Sequence, residues 1–286
     1  MLNQIFYKIK KIILTAFIIL ALYLNVFSAP NYSFDVKISG NGNSNIILIP
    51  GWSCSGDVWN ETVLQLEKNN KCHVLTMKGF AGSLPEANPD FRNWVRSVAD
   101  YIKDNEIEKP VIIGHSIGGG MAMILASEYP GLVSKIIVVD ALPCLGAISD
   151  SAFKTSESPD CSAYLNQFSS MNDDQFYQMQ KKSIAGLMTD TVHREQVIQW
   201  AVNSDRNTLA QIFCQYLNTD MRDMISDIDC PALILLEGYF VNIKQSISEQ
   251  YKNLKTAQLE YATKGLHFVM YDDTQWYMEQ INNFLK

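Results

Sequence analysis

The sequence predicts an α/β fold, a mostly parallel doubly wound sheet with an inserted helical cap. Three observations support this prediction. Short apolar runs typical of buried strands recur between segments with helical periodicity. One run leads directly into a glycine–serine turn at residues 114–118, and a helix follows. Residues 142–226 then contain no convincing strand, and this segment is too long for a simple connection, so we expect helices placed over the sheet edge.

The elements follow from local patterns taken in chain order. Apolar runs predict strands at these positions: 33–39, 45–49, 72–77, 111–113, 135–140, 231–236 and 257–261. Helical spacing, with Asp90 as an N-cap and Pro130 as a stop, predicts these helices: 57–68, 90–103, 116–128, 172–187, 192–203, 207–217, 243–253 and 273–285. The division is therefore 1–29 for targeting, 30–141 and 227–286 for the α/β core, and 142–226 for the cap.

The first 29 residues have the pattern of a signal peptide. Three lysines form a positive n-region: Lys8, Lys10 and Lys11. The apolar stretch at residues 12–24 suits a signal h-region and is short for a membrane span. We expect cleavage after Ser28 or after Ala29 and export of the mature chain to the periplasm or the medium. The alternative is that the segment is not cleaved and anchors the protein, in which case it is the only part expected to contact a membrane.

Charge and cysteine content restrict the class of protein. The formal net charge is −7 even with the basic N-terminus included, which argues against nucleic acid as a partner. Six cysteines outside the cytosol permit disulfides, and we expect Cys161 to pair with Cys144 or Cys214. There is no spacing typical of metal ligands, so neither a metal nor another cofactor is expected.

The turn at residues 114–118 has the form of a nucleophile elbow. A serine hydroxyl is a weak nucleophile unless a base removes its proton, and a sharp turn would lift Ser116 to where a base can reach it. Gly114 and Gly118 stand where a side chain would collide with the neighbouring strand or helix. The helix beginning at the serine points its free N–H groups at the charge that develops on the substrate.

Four stretches together resemble the α/β-hydrolases of the serine-nucleophile type, over about residues 34–286. These stretches are Ile49-Pro50-Gly51-Trp52, Gly79-Phe80-Ala81-Gly82-Ser83, Gly114-His115-Ser116-Ile117-Gly118-Gly119 and Gly265-Leu266-His267-Phe268. The resemblance implies that Ser116 is the nucleophile and His267 the general base. It also implies that the backbone N–H groups of Trp52 and Ile117 form the oxyanion hole.

The acid of the triad departs from the family's common pattern. That acid usually follows the strand that ends near Leu236, but residues 237–242 contain no aspartate. Asp140 ends the preceding strand, a position that some relatives use, and it keeps the order serine, acid, histidine. Glu237 is the alternative acid, and a further acid such as Asp272 remains open.

The function predicted is an exported serine hydrolase that cleaves an ester-type acyl bond through an acyl-enzyme. The expected partner is a small-molecule acyl substrate with an apolar acyl part. A first alternative is a ligand-binding or signalling protein with a degenerate triad. A second is an aminopeptidase or amidase, with Asp173 and Asp174 holding a substrate amine.

Overall fold

A seven-stranded sheet forms the centre of the structure, a computed structural model that describes residues 32–150 and 152–286. The strands are β1 (Phe34–Ser39), β2 (Ser44–Ile49), β3 (Asn70–Met77), β4 (Val111–His115), β5 (Lys135–Val139), β6 (Ala232–Leu236) and β7 (Ala257–Tyr261). Their spatial order is β1-β3-β2-β4-β5-β6-β7. β1 pairs antiparallel with β3 and the other neighbours are parallel, so the predicted fold class is confirmed.

Ten α-helices accompany the sheet in the described part of the chain. They are α1 (Asn60–Leu66), α2 (Phe91–Asp104), α3 (Ile117–Glu128), α4 (Ser162–Ser169), α5 (Asp173–Ala185), α6 (Arg194–Val202), α7 (Arg206–Leu217), α8 (Lys244–Gln250), α9 (Val269–Asp272) and α10 (Thr274–Leu285). None of these helices is long and apolar enough to cross a membrane. The predicted targeting segment, residues 1–29, lies outside the described residues.

The parallel strands bring distant loops to one edge of the sheet. β2, β4, β5 and β6 are almost completely buried, as their continuous apolar runs require. Since the carboxyl ends of parallel strands meet at one edge, the loops after these strands are neighbours there, and the loop after β7 joins them. The residues predicted for the triad and the oxyanion hole all follow the carboxyl end of a strand at this edge.

The segment between β5 and β6 is helical. In its described residues it contains α4, α5, α6 and α7 and no strand. A disulfide joins Cys161, just before α4, to Cys214 in α7, whereas Cys144 is a buried free thiol. Of the two pairings expected for Cys161, the one with Cys214 is therefore present.

Several boundaries differ from the prediction. α4 was missed because its periodicity is weak and only Phe168 is buried in it. The predicted helix at 57–68 begins as a 3-10 turn at Gly56–Trp59, and the one at 243–253 shortens to α8 after a 3-10 turn at Gly238–Ile243. These turns lack the spacing of apolar residues that marks a regular helix.

Candidate active site

Ser116 lies on a sharp turn between β4 and α3. Its backbone has φ 53° and ψ −121°, a conformation that side-chain-bearing residues rarely adopt. Its N–H donates to the Val139 carbonyl at 2.8 Å, which ties the turn to β5. A Cβ at Gly114 would lie 2.1 Å from the Gly118 carbonyl oxygen, and a Cβ at Gly118 would lie 2.4 Å from that of Ile49. The two glycines therefore permit the close packing that presents Ser116.

His267 and Asp140 form a hydrogen-bonded pair. The Nδ1 of His267 lies 2.6 Å from the Oδ2 of Asp140, and the side chain of Asp140 is only 2% exposed. The other carboxylate oxygen, Oδ1, accepts the backbone N–H of Glu237 at 2.7 Å. Asp140 has φ +49°, and its own N–H donates to the Leu235 carbonyl. Both carboxylate oxygens are therefore held, and one of them faces the imidazole.

Of the other acids considered, neither is the partner of His267 Nδ1. Glu237 contributes its backbone N–H to Asp140, and its side chain lines the cavity. Asp272, in α9, accepts the backbone N–H groups of Leu266, Thr189 and Asp190 at 2.7 to 3.0 Å. Asp272 thus connects the loop that carries His267 to the loop between α5 and α6 of the helical segment.

His115 has a contact that the sequence did not predict. Its Nε2 lies 2.9 Å from the carbonyl oxygen of His267, and because a carbonyl only accepts, Nε2 carries the proton. Burial, reinforced by the neighbouring His267 imidazole, holds the pKa of His115 well below its usual range, so the ring is neutral. It packs against the rings of Trp59, His267 and Phe268. His115 therefore supports the backbone of His267.

The backbone N–H groups of Trp52 and Ile117 both belong to residues that line the cavity. Ile117 is the first residue of α3, where an N–H has no intrahelical acceptor. The Cys54 N–H donates to the Gly51 carbonyl at 3.1 Å and closes the turn after β2, while Trp52 Nε1 donates to the Leu209 carbonyl. A Cβ at Gly51 would lie 2.6 Å from His115 Nδ1, so this close approach requires glycine.

The cavity beside Ser116 has a volume of about 340 Å³. Its walls come from the sheet edge and from the helical segment: Trp52, Ser53, His115, Ser116, Ile117, Asp140, Ala141, Leu142, Leu145, Ser183, Ile184, Leu187, Phe213, Tyr216, Glu237, Phe240, His267 and Phe268. Most of these side chains are apolar or aromatic. The arrangement suits an apolar group held next to a serine and a histidine.

Glu237 is a carboxyl in this mainly apolar wall. Burial and the nearby charge of Asp140 raise its pKa to about 7.

The two acids predicted to hold a substrate amine, Asp173 and Asp174, do not line the cavity, and Asp173 pairs with Arg206 at 2.7 Å on the surface. In the described ranges no three His, Cys, Asp or Glu side chains come together as a metal site.

The fold and the site together define an enzyme of the serine hydrolase class. Residues 45–181 match the family model described as alpha/beta hydrolase fold, and the chain has the α/β-hydrolase fold. This confirms the resemblance given by its four sequence stretches.

Known proteins similar to this chain agree with that assignment. A pimeloyl-[acyl-carrier protein] methyl ester esterase of Vibrio campbellii is 24% identical over 213 residues, which cover 72% of this chain and 82% of that protein. The one of Wigglesworthia glossinidia brevipalpis is 26% identical over 108 residues, or 38% and 40% of the two chains. A solved hydrolase structure from Pseudomonas aeruginosa superimposes with a TM-score of 0.76 at 15% identity, covering 90% of this chain and 99% of that one.

Proposed function

We propose that this protein is an exported serine esterase in which Ser116, His267 and Asp140 act as a catalytic triad. The observation that carries the proposal is the 2.6 Å hydrogen bond between His267 and the buried carboxylate of Asp140, since both residues line the same cavity as Ser116. A carboxylate on Nδ1 leaves Nε2 free to act as the base and stabilises the imidazolium that forms. No cofactor takes part.

The proposed reaction has two halves. The Ser116 hydroxyl attacks the ester carbonyl while His267 Nε2 takes its proton, and the N–H groups of Trp52 and Ile117 stabilise the oxyanion. The alkoxide then leaves with the proton from His267, and an acyl-enzyme remains. Water attacks this ester by the same route and releases the acid. Loss of one oxyanion donor costs on the order of 3 kcal/mol of barrier in such sites.

We propose an ester with an apolar acyl part of small to medium length as the substrate. The support is a cavity of about 340 Å³ whose walls are mostly apolar. The two relatives described above are named as methyl ester esterases, which is consistent with a small alcohol group. Leu187 and Phe213 contribute to the walls from the helical segment, so we propose that this segment serves as the cap.

Export is proposed from the basic and apolar pattern of residues 1–29. The Cys161–Cys214 disulfide supports it, since such bonds persist in oxidising compartments. Expression of the full chain in a bacterial host and intact-mass measurement of the secreted or periplasmic protein tests this. A mature chain beginning at Ala29 or Pro30 is expected, and a full-length chain in the cytosol would contradict export.

The two alternative functions, a binding or signalling protein and an aminopeptidase or amidase, have no support from the candidate site. A degenerate triad was considered because the usual acid is missing, but Asp140 supplies a carboxylate to His267. An aminopeptidase was considered for Asp173 and Asp174, and neither lines the cavity. We therefore retain the esterase as the single proposed function.

Hydrolysis of 4-nitrophenyl esters of increasing acyl length tests the esterase proposal. The wild type is expected to turn over the acetate to octanoate esters, with an optimum set by the cavity. Ser116→Ala is expected to fall to the rate of the uncatalysed reaction with an unchanged circular dichroism spectrum. Equal activity of the wild type and Ser116→Ala would contradict the proposal.

A further inference from the structure

Glu237 lies in the wall of the catalytic cavity without a role in the triad. Its backbone N–H is bound to Asp140, which fixes the residue beside the His267–Asp140 pair. In the described part of the chain its carboxyl has no hydrogen-bond partner, and the residue is half-buried. The side chain is thus a carboxyl that faces the substrate space next to the reacting serine.

We propose that Glu237 is a specificity-determining residue, which excludes esters with an anionic group near the reacting bond and admits uncharged or cationic ones. The inference deepens the proposed function and rests on it. A carboxylate in an apolar wall acts on a bound charge through a medium in which charges are weakly screened. It therefore discriminates by charge without contributing to the bond-breaking step.

The charges around Glu237 favour this selection. Asp140 faces it from the end of β5, His267 from the loop after β7 and Asp272 from α9. Asp140 and Asp272 both raise the pKa of Glu237, so the carboxyl lies in a region of negative charge. A second anion in the cavity would meet repulsion from all three acids once Glu237 is ionised.

The selection depends on pH because burial raises the pKa of Glu237 to about 7. Below this value the carboxyl is neutral, and above it the cavity gains a negative charge. The rejection of anionic esters is therefore expected to strengthen as the pH rises from 6 to 8. Any change of pH that alters the triad changes kcat/KM by the same factor for both esters. This factor therefore cancels when the kcat/KM values of two substrates are divided.

The test compares monomethyl glutarate with its isosteric amide, methyl glutaramate, by the kcat/KM for methanol release. For the wild type, the amide-to-carboxylate ratio is expected to rise about tenfold between pH 6 and pH 8. In Glu237→Gln the ratio is expected to stay constant. Glu260→Gln is the matched control, since it removes the same charge from an exposed position on β7 outside the cavity lining and is expected to keep the wild-type rise.

Three results would overturn the inference. One is a ratio in the wild type that does not change with pH, and another is a rise that persists in Glu237→Gln. In both cases the esterase function stands, because the esters are turned over. The third is a folded wild type that neither hydrolyses either ester nor reacts with a fluorophosphonate, which would overturn the proposed function and this inference with it.

Discussion

At the scale of single residues, the Asp140 carboxylate connects two parts of the candidate active site. It accepts hydrogen bonds from the His267 imidazole and the Glu237 backbone, and the positive φ of its own backbone aims it between them. An asparagine at this position has only one acceptor oxygen, and its NH2 group can only donate, so it could not replace both carboxylate oxygens as acceptors. The pair therefore depends on the charge and the acceptor capacity of the aspartate.

His115 is a positioning residue at the same scale. Replacement by Phe removes the Nε2–H donor to the His267 carbonyl, whereas Gln can keep an N–H near the same place. His115→Phe is expected to lower kcat by about tenfold to a hundredfold with little change in KM, because the base is misplaced. His115→Gln is expected to recover part of that loss. Steady-state kinetics far below the melting temperature measure both, and equal kcat for the wild type and His115→Phe would contradict the role.

The sequence identified Ser116 and His267 as candidates but left the choice of acid open. Asp140 and Glu237 follow neighbouring parallel strands, so both reach the same edge. Which of them contacts the imidazole depends on the turn after β5 and on side-chain directions, which no local pattern encodes. The hydrogen bond from His115 could not be predicted for a similar reason, since its acceptor is the backbone carbonyl of a residue 152 positions away.

At the scale of elements, the crossing of β4 and α3 requires glycine. Gly114→Ala would bring its Cβ to 2.1 Å from the Gly118 carbonyl oxygen, a contact between rigid backbone groups. A loss of about 4 kcal/mol or more in the free energy of unfolding is expected. Gly186→Ala is the control, because its Cβ would lie 3.4 Å from the nearest atom at negative φ. Denaturant unfolding measures both, and a Gly114→Ala protein as stable as the control would contradict this packing.

The disulfide restrains the helical segment as an element. It closes a loop across a sequence separation of 53, for which the chain-entropy estimate is about 4 kcal/mol. Reduction of the wild type is expected to lower its melting temperature. The double variant Cys161→Ser, Cys214→Ser is expected to match the reduced wild type and to be insensitive to reductant. Melting temperatures that do not respond to reductant would contradict this contribution.

The sequence predicted the regular elements better than the irregular ones. The strands follow from apolar runs, and α2 from its N-cap at Asp90 and an apolar face, all of which are local signals. α4 and the short α9 were not predicted, since they are held by contacts with other segments, such as the disulfide at Cys161 and the bonds to Asp272. Tertiary contacts of this kind have no counterpart in local periodicity.

At the scale of the whole molecule, the strand order assembles the site. Ser116, Asp140 and His267 follow β4, β5 and β7, and Trp52 follows β2, so residues far apart in the chain meet at one sheet edge. Parallel pairing makes this convergence a property of the fold. The general position of the site was therefore predictable, while the shape of its cavity depends on how the helical segment covers that edge.

The stability of the whole molecule is expected to depend on pH in part through Glu237. Its pKa is raised to about 7 in the folded state, so between about 4.5 and 7 the folded state binds more protons than the unfolded state. The contribution of Glu237 to stability therefore falls as the pH rises through this window. Glu237→Gln is expected to gain stability relative to the wild type between pH 5 and pH 8, as measured by melting temperature. A constant difference between the two would contradict the raised pKa.

The rate of labelling by a fluorophosphonate, with the modified residue mapped by mass spectrometry, tests the central claim most directly. Wild-type protein is expected to carry the phosphonyl group on Ser116, and Ser116→Ala to remain unlabelled. Asp140→Asn is expected to label at least about a thousandfold more slowly than the wild type. Glu237→Gln is expected to label at a rate close to that of the wild type. No labelling of folded wild type would contradict the esterase, and a loss confined to Glu237→Gln would contradict Asp140 as its acid.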